Sequence, residues 1–189
     1  MRNVILFGAP GAGKGTQSAI IREKFDFAYI STGEILRAEI KKGSELGKQA
    51  EQIINRGELV SDEIIVGMIK SFISENNSKD LLLDGFPRTV KQAEALDEIL
   101  KTLNRGEAKV VELEVNKDVL MQRLLKRAEI EGRKDDNETT IRERFNQYDA
   151  KTAAVADYYK KKNSYISIDG EHGTPEEISV KLIDILKKL

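Results

Sequence analysis

An apolar run, Val4-Ile5-Leu6-Phe7, leads directly into Gly8-Ala9-Pro10-Gly11-Ala12-Gly13-Lys14-Gly15-Thr16, and this junction limits the possible folds more than any other feature. A strand without polar alternation is what a parallel sheet covered on both faces requires. The closely spaced glycines let backbone N–H groups converge on one anion, and a helix that follows adds its positive N-terminus. The spacing matches G-x-x-x-x-G-K in the strand-to-helix context that a phosphate-binding loop needs, with Lys14 reaching the outer phosphates. Gly15 stands where the general pattern has Ser or Thr, and Thr16 comes one position later. That shift weakens the usual assignment of the hydroxyl to Mg²⁺.

Short apolar runs alternate with longer amphipathic segments along the rest of the chain. Strands are predicted at Asn3 to Phe7, Ala28 to Ile30, Leu81 to Leu83, Lys109 to Val115 and Tyr165 to Ile168. Helical patterns at Gln17 to Phe25, Val90 to Leu103 and Asp118 to Glu131 lie between them. The last helix has the clearest start, because Thr174-Pro175-Glu176-Glu177 combines an N-cap, a first-position proline and a capping-box Glu. Its apolar face is predicted to hold Ile178, Leu182, Ile185 and Leu189. The order predicts an α/β fold, a five-stranded parallel sheet flanked by helices, with ligands beyond the carboxyl ends of the strands. Two segments do not fit a simple crossover: Thr32 to Met68 carries three helix-like pieces, and Glu131 to Asn137 is a polar break.

Composition narrows the function classes. The 189 residues carry 31 Lys plus Arg against 32 Asp plus Glu, a net charge of -1, which is no polyelectrolyte signature for nucleic acid. The absence of Cys excludes a disulfide scaffold or a thiolate zinc site and fits a reducing compartment. No apolar stretch approaches the roughly 20 residues of a membrane span. The start, MRNVILFG, lacks the small-residue cleavage site of a signal peptide. A cytoplasmic protein is the expectation.

Further motifs arrive in order: Ser31-Thr32-Gly33-Glu34-Ile35-Leu36-Arg37, Asp84-Gly85-Phe86-Pro87-Arg88 and Gly132-Arg133-Lys134-Asp135-Asp136. With the loop GAPGAGKGT, whose GxPGxGKGT form is that of nucleoside monophosphate kinases, the chain resembles the adenylate kinase family over essentially its whole length. The resemblance implies a single kinase domain, 1-189, of P-loop NTPase type. It further implies a monophosphate-binding helical insertion at about residues 31-60 and a short lid at 126-137. It implies phosphoryl transfer from MgATP to AMP, giving two ADP, by a monomer with no zinc and no nucleic-acid or membrane partner.

Residues read differently with and without that resemblance. Asp84 ends an apolar strand where phosphates should lie and can hold Mg²⁺ directly or through its waters. Arg123 and Arg127 share one helix face, at a spacing where like charges destabilise an isolated helix. Solvated pairing of Arg127 with Glu131 competes with an anion site there. The resemblance implies that Arg123 stacks on the ATP adenine and that Arg127 contacts the phosphates. It places ATP against Gly11, Ala12, Gly13, Lys14, Gly15, Thr16 and the backbone of His172. For AMP it implies Thr32, Arg37, Glu58, Leu59, Val60, Gly85, Phe86, Pro87, Arg88, Gln92, Arg133 and Arg144. Thr32 also suits a helix N-cap, and Gln92 also suits an exposed helix surface. Glu34 stands where the family's motif has Asp. Lys14, Arg88, Arg127, Arg133 and Arg144 are then the groups around the moving phosphoryl, with Asp135 and Asp136 helping to fix a closed lid. A kinase acting on UMP or CMP is the nearest alternative.

Overall fold

Five strands form one sheet in the order β2-β3-β1-β4-β5, and every neighbouring pair is parallel. They are β1 (Asn3–Phe7), β2 (Phe27–Ser31), β3 (Asp80–Asp84), β4 (Ala108–Glu114) and β5 (Tyr165–Asp169). All five lie where the apolar runs predict them: β1 has the predicted bounds, β2, β3 and β5 extend them by one residue at one or both ends, and β4 starts and ends one residue earlier. The computed structural model describes residues 1–189. Its helices are α1 (Lys14–Lys24), α2 (Thr32–Lys42), α3 (Glu45–Asn55), α4 (Asp62–Glu75), α5 (Val90–Thr102), α6 (Lys117–Glu131), α7 (Glu138–Gln147), α8 (Ala153–Lys160) and α9 (Pro175–Leu186).

The central strand β1 is buried on both faces, with every residue from Asn3 to Phe7 shielded, as its unbroken apolar run requires. One face packs Ile5, Leu81, Leu83 and Val110 against α4, α5 and α8. The other packs Val4, Leu82 and Val111 against Ile21 of α1 and Leu182 of α9. Parallel strands direct all their carboxyl ends to one edge, so Gly8, Thr32, Gly85 and Gly170 open there together.

Helix boundaries follow their caps with instructive exceptions. The capping box at Thr174 and Glu177 forms as predicted. The buried face of α9, however, is Ile178, Leu182, Ile183 and Leu186; Leu189 lies beyond the last turn and is exposed. Side chains cap α2, α3, α5, α6 and α7 through Ser31, Ser44, Thr89, Asn116 and Asn137. The cap of α2 is therefore Ser31, not Thr32. Helix α1 begins three residues before its apolar pattern, at Lys14, because Gly13 adopts a left-handed φ of 94° and turns the loop into the first turn. No side chain caps it, which leaves its first N–H groups to a ligand. The apolar stripe after the polar break is interrupted by a π-helical turn, Tyr148–Thr152, which nothing in the periodicity announces. Ile141, Phe145, Val155 and Tyr159 are buried as expected, while Tyr148 is half-buried and donates to Glu112 at 2.9 Å.

Far from the strands' carboxyl ends, a buried arginine closes the opposite edge of the sheet. Arg105 donates to Asn3 Oδ1 at 2.8 Å, to the carbonyl of Asn77 at 2.7 Å and to that of Lys79 at 2.6 Å. Removing it leaves the buried Asn3 Oδ1 and two partly shielded carbonyls without a donor. Arg105→Met should destabilise the fold by about 2–4 kcal/mol without altering ligand binding at the glycine loop. Denaturant unfolding checks this, and a loss below about 1 kcal/mol would contradict it.

Candidate active site

The loop between β1 and α1 is set for an anion before any anion arrives. Lys14 Nζ donates to the carbonyls of Gly8 at 2.8 Å and Ala9 at 3.1 Å, so the lysine lies back over its own loop. Burial lowers its pKa from 10.5 to about 8, with Arg88, Arg144 and Arg127 adding to the fall while Asp84 opposes it. Asp84 is 8% exposed at the end of β3, in register with Leu6 and Ser31. Tyr29 donates to it at 3.3 Å.

Two cavities open from this edge. The larger is lined by the loop from Pro10 to Gln17, Asp84, Arg123, Arg127 and Arg133. The smaller is lined by Thr32, Leu36, Leu59, Val60, Ile65 and Gln92. They meet at a common wall of Gly33, Arg37, Gly85, Arg88 and Arg144.

The arginines come from five separate segments: α2, the loop after β3, α6, the segment 132–137 and α7. Arg88 follows the cis Phe86-Pro87 peptide and donates from Nε to the carbonyl of Gly85 at 2.8 Å. Its own N–H is accepted by Gln92 Oε1 at 2.7 Å, and its carbonyl accepts from Thr152 Oγ1 at 2.9 Å. Arg127 forks onto Asp136 at 2.6 and 2.9 Å; Glu131 is instead 3.7 Å from Arg133. Arg144 reaches Asp136 at 2.6 Å and Arg133 reaches Asp135 at 3.1 Å. Asp136, with its side chain wholly buried, thus faces three arginines. Burial and the neighbouring arginines lower the pKa values of Arg37, Arg88 and Arg144, as expected where cations are packed together in advance of a counter-charge.

Most sequence-derived site residues line one of these cavities. Gly11, Ala12, Gly13, Lys14, Gly15 and Thr16 line the larger, and Glu58 joins the smaller at its exposed edge, held by Arg56 at 2.9 Å. Phe86 and Pro87 line an adjoining cavity behind the loop, with Lys14 and Arg88. Thr32 is turned away from capping and donates to the carbonyl of Gly85 at 2.9 Å. Gln92 is 2% exposed, far from an ordinary helix surface. Arg123 donates to the carbonyls of Gly170 at 3.0 Å and Glu171 at 3.2 Å, which fixes it beside the loop after β5. His172 lies in that loop but lines none of the three cavities; its ring and N–H face Asp169. Sequence reading missed Thr152, whose contact with Arg88 depends on the unannounced π-helical turn. It also missed Tyr29 beside Asp84, where a strand tyrosine carries no signal of its own.

Sheet order, loop and arginine-lined crevice together define a P-loop nucleotide-binding fold of the phosphoryl-transfer type. The family model described as adenylate kinase matches residues 6–164. Adenylate kinases of Bacteroides thetaiotaomicron and Phocaeicola vulgatus are 45% and 46% identical to it over 190 residues, covering all of each chain. That of a Synechococcus strain is 46% identical over 187 residues, covering 98% of this chain and all of its own. The chain belongs to the adenylate kinase family.

The folded protein holds the Lys14 proton less tightly than the unfolded chain does. This charge therefore costs stability at neutral pH, and the cost fades as pH rises from about 8 toward 10.5. An anion on the loop reverses the effect by favouring the charged form. Nuclear magnetic resonance of labelled lysine side chains should show Lys14 titrating near 8 in the free protein and shifting upward when sulfate is added. Titration at the ordinary lysine value, unmoved by sulfate, would contradict this.

Proposed function

We propose that the crevice carries out the family's reaction, reversible transfer of the terminal phosphoryl group of MgATP to AMP giving two ADP, with ATP in the larger cavity and AMP in the smaller. The observation that carries the assignment of sites is the shared wall: Arg88 and Arg144 border both cavities, so a phosphoryl group passing between them stays within reach of the same cations. Residues 31-60 act as the monophosphate-binding insertion and 126-137 as the short lid of a single kinase domain, 1-189.

The chemistry needs little beyond position and charge. The attacking oxygen belongs to a phosphate that is already anionic, so no general base is required. Lys14 and the N–H groups from Gly11 to Thr16 hold the donor's phosphates, and Arg123 and the loop near His172 hold its adenine. Thr32, Arg37, Glu58, Leu59, Val60, Gly85, Phe86, Pro87 and Gln92 form the acceptor's site, with Arg88 on its phosphate. Arg127, Arg133 and Arg144 neutralise the group in transit, where preorganised donors contribute most. Arginine suits this task because its planar fork binds phosphate oxygens two at a time. Closure of lid and insertion excludes water that would otherwise hydrolyse ATP.

Asp84 fits Mg²⁺. It is a single carboxylate beside the phosphate loop, and no cluster of three His, Cys, Asp or Glu suited to a metal surrounds it. Mg²⁺ is commonly held by one or two carboxylates plus waters and substrate phosphates. When bound there through its waters, it would draw charge from the phosphates. With no Cys and one His, the chain offers no ligand set for zinc. A cytoplasmic monomer without nucleic-acid or membrane partners completes the reading. The near-neutral charge supports the first exclusion, and no helix is long and apolar enough to cross a membrane.

Lys14→Met should lower kcat by about 10²–10³-fold, the scale of losing one oriented donor, while thermal stability at neutral pH does not fall, because the charge removed costs stability there. A coupled assay and a melting curve check both, and activity within tenfold of the parent would contradict the role. In the same assay AMP should exceed UMP and CMP as acceptor by orders of magnitude. Chelating Mg²⁺ should stop transfer, whereas zinc-specific chelation should change neither rate nor stability.

A further inference from the structure

Gln92 lines the smaller cavity although it is almost wholly buried, and its amide is held by two partners that each permit only one polarity. The Arg88 N–H can only donate, and it meets Gln92 Oε1 at 2.7 Å. The Asp62 carboxylate takes Gln92 Nε2–H on Oδ1 at 2.8 Å, as an acceptor. Oxygen and nitrogen of the amide are therefore assigned by chemistry. Asp62 is fixed in turn: its Oδ2 accepts from Thr89 Oγ1 at 3.1 Å, and the same hydroxyl caps α5 by accepting from the Gln92 N–H at 3.1 Å. Two hydrogen bonds, from Thr89 Oγ1 and Gln92 Nε2 to the one Asp62 carboxylate, thus tie the start of α4 to the start of α5.

We propose that Asp62 is a positioning residue for base specificity: by locking the Gln92 amide it selects an acceptor base that pairs a ring-nitrogen acceptor with an exocyclic amino group, and rejects 6-oxopurines. The proposal rests on the reading that Gln92 meets the base of AMP. With two bonds made, the amide has one N–H and one oxygen lone pair left. Adenine offers the matching edge, N1 accepting and the 6-amino group donating. Hypoxanthine offers the reverse, N1–H donating and O6 accepting. To meet it the amide would have to rotate by half a turn. That would set Oε1 against the Asp62 carboxylate and Nε2 against the Arg88 N–H, two repulsive contacts in a buried place. A free glutamine could adapt to either edge; this one is held.

The acidic first turn of α4 has another use, since Asp62 and Glu63 both complement the helix dipole, and a purely structural Asp62 would affect all acceptors alike. The ratio of kcat/KM for AMP to that for IMP separates the two roles. The parent chain should prefer AMP by at least about 10³-fold, as a site left with unpaired buried groups can. Asp62→Ala should lower that ratio by about tenfold or more, mostly through the KM for AMP, with the KM for ATP unchanged. Asp62→Asn keeps the shape but can present either oxygen or nitrogen to Gln92. It should lower the ratio less, and it carries the test if the alanine variant does not fold. Gln92→Met should abolish most of the preference. A parent-like ratio in the folded Asp62 variants, with Gln92→Met losing it, would overturn the lock while leaving Gln92 as the base contact. A parent-like ratio in Gln92→Met would overturn the base reading and the lock with it.

Discussion

Positive charge gathered around one crevice is the constraint on which the rest of the structure depends. Lys14, Arg37, Arg88, Arg127, Arg133 and Arg144 lie close enough for most to disturb one another's protonation, and the buried carboxylates among them are Asp84, Asp135 and Asp136. Such a cluster is unfavourable unless something answers it. In the free protein the answer is internal: two loop carbonyls take Lys14, and two lid carboxylates take Arg127, Arg133 and Arg144. These partners occupy the places that phosphate oxygens are suited to fill. The site is thereby kept ordered, and its cations remain oriented for a polyanion.

Where those cations come from explains the architecture. Lys14 opens α1 directly after the β1 loop and Arg88 belongs to the loop after β3, so parallel pairing brings them to one edge. Arg127 lies on α6 and Arg144 on α7, and the six-residue segment 132–137 between these helices folds its two aspartates back between them. The helical insertion touches the same rod: Thr140 Oγ1 donates to the carbonyl of Asn55 at 3.2 Å. At Gly57 a side chain would come within 2.9 Å of the Thr140 carbonyl, so a glycine lets the insertion lie directly against α7. The insertion and the segment 132–137 therefore both rest on α7.

Much of this was legible in the sequence, for identifiable reasons. Apolar runs without alternation mark buried parallel strands, and β1 and β3 were plain on that ground. The glycine loop carries its chemistry in its spacing, and Thr174 with Glu177 carries its own cap. Less local features were hidden. The start of α1 falls on Lys14 because a glycine, not a capping side chain, begins it. Whether Arg127 pairs with Glu131 or serves an anion depends on a carboxylate nine residues away, across a turn whose path the sequence does not state. Gln92 reads as a helix surface until α4 and α5 are brought side by side. The π-helical turn that gives Thr152 to Arg88 has no periodic signature at all.

Two nucleotide sites, as proposed, would share one wall of cations, Arg37, Arg88 and Arg144. Two adenosines joined by five phosphates would span both cavities at once, laying the phosphate chain along Lys14, Arg88 and Arg144. Calorimetric titration of the full chain with that molecule should give one molecule bound per chain, with binding abolished by either saturating ATP or saturating AMP. Two molecules bound per chain, or competition with only one of the two nucleotides, would contradict the shared wall.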